Sequence, residues 1–190
     1  MLRVLSIICA LFMGVSAQAG LSFGQELFLH QHDVMTKQIG VQNLNWKVGD
    51  ENNYQIDMGF IKGTMQMRVR EIGNDGIWMD QNVDLGFAGK QTVNVLLDPV
   101  TGEIKRMIVN GQEQEPPKQD VEVIDMKEDR VTVPAGTFDC IHARIKDRSN
   151  NQETNAWINP RLIPLSGMLK TIQPSQLGQV TMSLTSFRKN

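Results

Sequence analysis

The sequence predicts a mainly β domain with an N-terminal helix: a highly curved antiparallel sheet, or incomplete β-barrel, covered by that helix. Three observations point there. Only one stretch, Ser22 to Ile39, spaces its apolar residues at intervals of four and seven. From Gly40 onward apolar residues recur at every second position, the period of a strand with one buried and one solvated face. Short turn signals rich in Gly, Asn, Asp and Pro then divide the chain at close intervals.

The first element to account for precedes the helix. Met1-Leu-Arg3 is followed by a run that is apolar from Val4 to Val15 except for Ser6 and Gly14, and by Ala17-Gln-Ala19. A positive start, a short apolar run and small residues at Ala17 and Ala19 describe a secretory signal peptide, cleaved after Ala19. Residues 1–19 are thus expected to be the signal peptide and residues 20–190 one β-rich domain, located in the periplasm or secreted. The apolar run is shorter than the roughly 20 residues a spanning helix needs, so stable membrane insertion is not expected. Gly20 stands where a lipoprotein would carry its lipid-bearing cysteine.

Loss of the leader removes one of 19 basic residues, Arg3, leaving 18 against 21 acidic residues and a formal charge of −3. The remaining Lys and Arg are interspersed with Asp and Glu, so a nucleic-acid partner is not expected. Cys9 departs with the leader, and Cys140 remains alone without an internal disulfide partner.

Within the predicted helix, Phe23, Leu27, Phe28, Val34, Met35 and Ile39 make the apolar stripe. Ser22 and Gln25 form a capping box, and Gly40 supplies the closing residue. Leu44, Trp46 and Val48 then alternate with Asn45 and Lys47. Ile56, Met58 and Phe60 form the next inward face, followed by a turn at Lys62-Gly63 and by Met65, Met67 and Val69. After Asn74-Asp-Gly76, Ile77, Met79, Val83 and Leu85 lie opposite Asp80, Asn82 and Asp84. Val93, Val95 and Leu97 lead to the turn Asp98 to Gly102 and a strand from Ile104 to Val109.

Gln112 to Asp120 is polar and contains Pro116-Pro117, and reads as a surface excursion. Val121–Val133 and Phe138–Lys146 flank the turn Pro134-Ala-Gly136. A tip at Ser149-Asn-Asn151 precedes a strand from Glu153 to Ile158, and a final strand carries Val180, Met182 and Leu184 inward. Roughly nine or ten strands favour a curved sheet or open barrel, with a sandwich as the alternative.

Val131-Thr-Val-Pro-Ala-Gly-Thr-Phe-Asp-Cys140, with Trp157-Ile-Asn-Pro160 and Pro164-Leu-Ser-Gly167, resembles a set of exported bacterial proteins of the lipoprotein-carrier (LolA/LolB-like) fold. That resemblance implies an N-terminal helix ahead of a strongly curved sheet, whose apolar hollow can hold acyl chains.

Nine methionines remain after export. Methionine is flexible and polarizable, and suits a surface that accepts varied apolar shapes. The expected lining of the hollow is Trp46, Ile56, Met58, Phe60, Met65, Met67, Met79, Trp157 and Met182. Cys140 with His142, and His30 with His32, lack a third ligand, so no metal or cofactor is expected. No nucleophile signature occurs, and the acidic pairs Asp80/Asp84 and Glu113/Glu115 lie on solvated strand faces or loops. The expected function is non-enzymatic binding of an apolar ligand such as a lipid or acylated protein. The alternative is an envelope structural or interaction module, without a small ligand, that meets a partner protein through a sheet edge or through the polar excursion near Pro116 and Pro117.

Overall fold

The computed structural model describes residues 44–116, 121–148, 150–175 and 178–190. The expected signal peptide, its cleavage site and the expected helix at 22–39 lie outside the described residues. Eleven antiparallel strands form one sheet: β1 (Glu51–Met58), β2 (Ile61–Gly73), β3 (Gly76–Asp84), β4 (Lys90–Leu97), β5 (Ile104–Val109), β6 (Gln112–Gln114), β7 (Val121–Val133), β8 (Gly136–Asp147), β9 (Glu153–Ile158), β10 (Met168–Ser175) and β11 (Gly178–Arg188). Their order across the sheet is β6-β5-β4-β3-β2-β1-β11-β10-β9-β8-β7. Two meanders are therefore joined along one central seam, β1 against β11.

This topology requires curvature. Strands β6 and β7 are consecutive in sequence yet occupy opposite edges. Laid flat, eleven strands at about 4.8 Å spacing would separate those edges by about 48 Å. The chain from Gln114 to Val121 reaches about 25 Å at most. The sheet must therefore curl, and β7 indeed touches β10 and β11 as well as its neighbour β8. The two edge strands do not pair with each other, so the sheet is strongly curved but not closed.

The inner face carries the core. Along β1, β2, β3 and β4 the buried residues are Tyr54, Ile56 and Met58, then Met65, Met67 and Val69, then Met79 and Val83, then Val93, Val95 and Leu97. Across the seam, Val180, Met182 and Leu184 of β11 meet Ala143, Ile145, Ala156 and Ile158 of β8 and β9 in one cluster. Gly63 marks a close approach within β2, since a Cβ there would lie 2.6 Å from the carbonyl oxygen of Asp84. The long β7–β8 hairpin twists along its length. At its base Ala143 and Ile145 are buried, whereas at its tip the opposite face buries Val131, Val133 and Cys140. There the Ala135 N–H donates to the Leu184 carbonyl at 3.1 Å, and Phe138 meets Phe187 edge-on at 6.4 Å.

Several expectations need correction. The turn expected at Lys62-Gly63 lies at Gly59-Phe60, because Gly59 takes φ +78° and its N–H is held by the Asp57 carboxylate at 2.9 Å. Phe60 is consequently 74% exposed at the turn, not on the inner face. Residues 44–50 form no strand: the Leu44 N–H donates to the Pro99 carbonyl and a turn at Lys47–Asp50 follows. The excursion after Asn110-Gly111 begins as a short edge strand, β6. Strand β10 has no counterpart among the expected strands, and with it the described residues hold eleven.

Candidate functional site

Of the nine expected lining residues, Ile56, Met58, Met65, Met67, Met79 and Met182 share the inner face and are all deeply buried. They form a packed floor. Trp46 is half-buried and packs against this cluster from the segment preceding β1. Trp157 alternates with Ala156 and Ile158, whose side chains occupy the inner face, so its indole stands on the outer face of the sheet.

The inner face is not purely apolar. Asn52 is fully buried, and its side-chain amide donates to the Pro164 carbonyl at 2.9 Å and to the Tyr54 hydroxyl at 3.1 Å. The Tyr54 hydroxyl in turn donates to the Met168 carbonyl at 3.1 Å. These bonds draw the β9–β10 connection over the seam, where Ile163 and Leu165 are buried. Burial pushes the Tyr54 phenol up to about 12. The acceptor Asn52 Oδ1, with Thr171 Oγ1 and Gln173 Oε1 on β10, is buried without a hydrogen-bond partner.

The apolar inner surface reaches solvent at the β7 edge. Ile141 of β8 is 40% exposed and Met126 of β7 is 52% exposed. In register, Ile141 lies between Glu128 of β7 and Ile158 of β9, while Met126 lies beside Ala143. Next to them opens a groove of about 530 Å³, lined by Glu128, Asp139, Ile141, Ile158, Asn159 and Pro160 among others. Asn159 shapes its wall by donating from its side chain to the Asp139 carbonyl at 2.8 Å. The Arg130 guanidinium, bonded to Asp139 at 2.6 Å, holds that carboxyl below its ordinary range. Ile141, Ile158 and Met126 were absent from the expected lining. The spacing of Ile141, Ala143 and Ile145 is the signal that places the first of them on the inner face.

On the outer face a cluster surrounds Trp157. His142 stacks on the indole at 4.4 Å with 4° between the rings, Lys170 lies 5.3 Å from the ring centroid, and the indole N–H donates to Asp129 at 2.9 Å. His142 Nε2 pairs with Asn155 Oδ1 at 2.9 Å. Every member already has a partner, so this row ties β7, β8, β9 and β10 together. Further along the outer face, a groove of about 470 Å³ is lined by Asn53, Met65, Gln66, Asn82, Val83 and Thr92 among others.

The local pair Cys140 and His142 does not form a nucleophile with its base. The thiol lies 3.5 Å from the Asp129 carbonyl, while the imidazole is committed to Trp157 and Asn155. Burial, reinforced by Asp129 and Asp139, raises the thiol above its ordinary range. Cys140 is therefore expected to react slowly with a thiol reagent at neutral pH and several-fold faster once urea unfolds the chain. Stopped-flow labelling measures both rates, and equal rates would contradict the buried, protonated thiol. Among the described residues no group of three or more His, Cys, Asp or Glu side chains is placed to hold a metal ion. No helix among them is long and apolar enough to cross a membrane.

No family model matches this chain, and no curated protein does. Solved structures do. An exported protein with a YmcC-like fold from Bacteroides fragilis is 11% identical, with 78% of this chain and 99% of that one covered and a TM-score of 0.42. A hypothetical protein from Chlamydia trachomatis is 12% identical over 77% of this chain and 89% of that one, with a TM-score of 0.44. The MucA/MucB complex of Pseudomonas aeruginosa contains a chain 11% identical, with a TM-score of 0.44. That match covers 86% of this chain but only 56% of the other. None of these three bears the lipoprotein-carrier name.

Proposed function

We propose that this chain is an exported, non-enzymatic binding module that takes an apolar ligand, such as a lipid or the acyl group of an acylated protein, at the groove beside the β7 edge. One observation carries the reading. The inner apolar surface is packed shut over β1 to β4, yet continues to an exposed margin at Met126 and Ile141, where a groove of about 530 Å³ opens. That volume falls within the range of small-molecule sites; Ile141, Ile158 and Pro160 supply its apolar lining, and Glu128, Asp129, Asp139, Asn159 and Arg161 its polar one.

Apolar surface left in water is unfavourable at about 25 cal/mol per Å², and a chain laid against the exposed part of Ile141 would remove it. Glu128 and Asp139 at the rim disfavour an anionic headgroup close to the floor, while Arg161 completes a mixed border. The outer-face row around Trp157 is internally satisfied and gives no reason to place the ligand there.

Titration of the purified protein with a fluorescent acyl-chain probe tests this. Wild-type protein is expected to bind, and Ile141→Glu to weaken binding by about tenfold or more, because a carboxylate on the floor opposes burial of the chain. Ile141 lies in register with Glu128, so the substitution also sets two carboxylates opposite each other and should lower the unfolding midpoint modestly; binding is compared well below that midpoint. Equal affinity in wild type and variant would place the probe elsewhere and overturn the assignment.

A further inference from the structure

We propose that the β7 edge pairs with the β7 edge of a second copy of this chain, forming a two-fold dimer centred on Met126. Strand β7 is the outermost strand of the described sheet on this side and is 13 residues long. Seven consecutive residues, Ile124 to Arg130, are exposed along it. An exposed strand edge presents unpaired backbone N–H and C=O groups and so templates further pairing. The opposite edge, β6, is only three residues long and entirely polar. From Asp125 to Val133 the pairing of β7 with β8 is regular, the bulge being confined to Ile124. The outer side of β7 therefore has an even ladder to offer.

Backbone geometry and charge together select the register. Outward-pointing N–H and C=O groups recur at every second residue of an edge strand. An antiparallel partner can therefore be centred on a residue but not between two residues. A centre on Asp125, Lys127, Glu128, Asp129 or Arg130 would set that charged residue directly opposite its own copy. A centre on Met126 sets methionine against methionine. It also places Lys127 opposite the partner copy's Asp125, twice by symmetry, and Glu128 opposite Ile124, without a like-charge pair among them. Asp125 faces Arg144 across the β7–β8 ladder and Lys127 lies in the field of Asp129, so the new pairs add to these attractions along the same outer row.

The same parity keeps inner faces together. Met126 shares the inner side with Ala143, so the two Met126 side chains meet beside the exposed Ile141 residues and extend the apolar surface from one copy to the next. Lys127 lies in register with His142 on the outer side, where the paired charges face water. This arrangement does not depend on the identity of any ligand.

Sedimentation equilibrium over a wide concentration range tests it, with circular dichroism confirming that each variant folds. Wild-type protein should show a monomer–dimer equilibrium. Lys127→Glu places like charges at both symmetry-related pairs and should raise the dimer dissociation constant by about tenfold. The swap Asp125→Lys with Lys127→Glu restores opposite charges and should return the constant to within about threefold of wild type. A wild-type protein monomeric at every concentration would overturn the proposal. So would a dimer indifferent to Lys127→Glu, or one that the charge swap fails to rescue.

Discussion

Truncating Met182 to alanine is expected to lower the unfolding free energy by about 2–5 kcal/mol, the cost of removing a large buried side chain together with the cavity left behind. Met182 has no solvent exposure and sits in the middle of β11, between Thr171 of β10 and Ile56 of β1. The β1–β11 ladder is where the two meanders join, so a cavity there loosens the contact on which the single sheet depends. Met182→Leu nearly conserves volume and should cost less than about 1.5 kcal/mol. Urea denaturation of the three proteins measures both differences. Equal midpoints would show that the seam is not packed as described.

Replacing Tyr54 with phenylalanine is expected to cost about 1–3 kcal/mol at neutral pH, because the Asn52 side-chain N–H loses one acceptor and the Met168 carbonyl loses its donor. The variant should also change the pH dependence. The wild-type phenol is pushed from 10.0 up to about 12 by burial. Its neutral form is thus favoured by folding, a contribution fully present below the unfolded pKa and lost as pH rises through the folded one. That shift corresponds to roughly 3 kcal/mol lost between about pH 10 and 12. Phenylalanine does not titrate, so the variant should lose less stability across that window. Denaturation at stepped alkaline pH resolves the two curves, and parallel curves would contradict the buried phenol.

Much of the architecture was legible in the alternation of residues. Ile77, Met79 and Val83 against Asp80, Asn82 and Asp84, or Val180, Met182 and Leu184 against Thr181, mark their faces unambiguously because the inner positions are apolar. Strand β10 escaped because its inner face violates that rule. Thr171 and Gln173 are buried, Lys170 and Ile172 point outward, and Pro174 reads as a breaker. Met168 and Leu169 are both buried at a register shift against β9, which further erases the period of two.

The candidate site was legible only in part. Six of the nine expected lining residues do share one buried face, since period-two reasoning identifies which residues point the same way. It does not reveal where that face is covered and where it meets water. Trp46 and Trp157 illustrate the limit: an indole fits equally well against a core or across the outside of a sheet. In Trp157 the decision follows from the buried neighbours Ala156 and Ile158 and from the cross-strand partners His142 and Lys170. Phe60 went astray for a local reason, the Gly59 turn, which ends β1 two residues before the apolar alternation does.

An apolar ligand in the groove beside Ile141 should travel with the purified protein. The most direct measurement is native mass spectrometry of wild-type and Ile141→Glu protein, each purified without detergent after export. Occupancy of the groove predicts a wild-type species carrying one apolar molecule per chain, and a variant at the mass of the bare polypeptide. Both proteins at the bare polypeptide mass, or both carrying the same adduct, would contradict it.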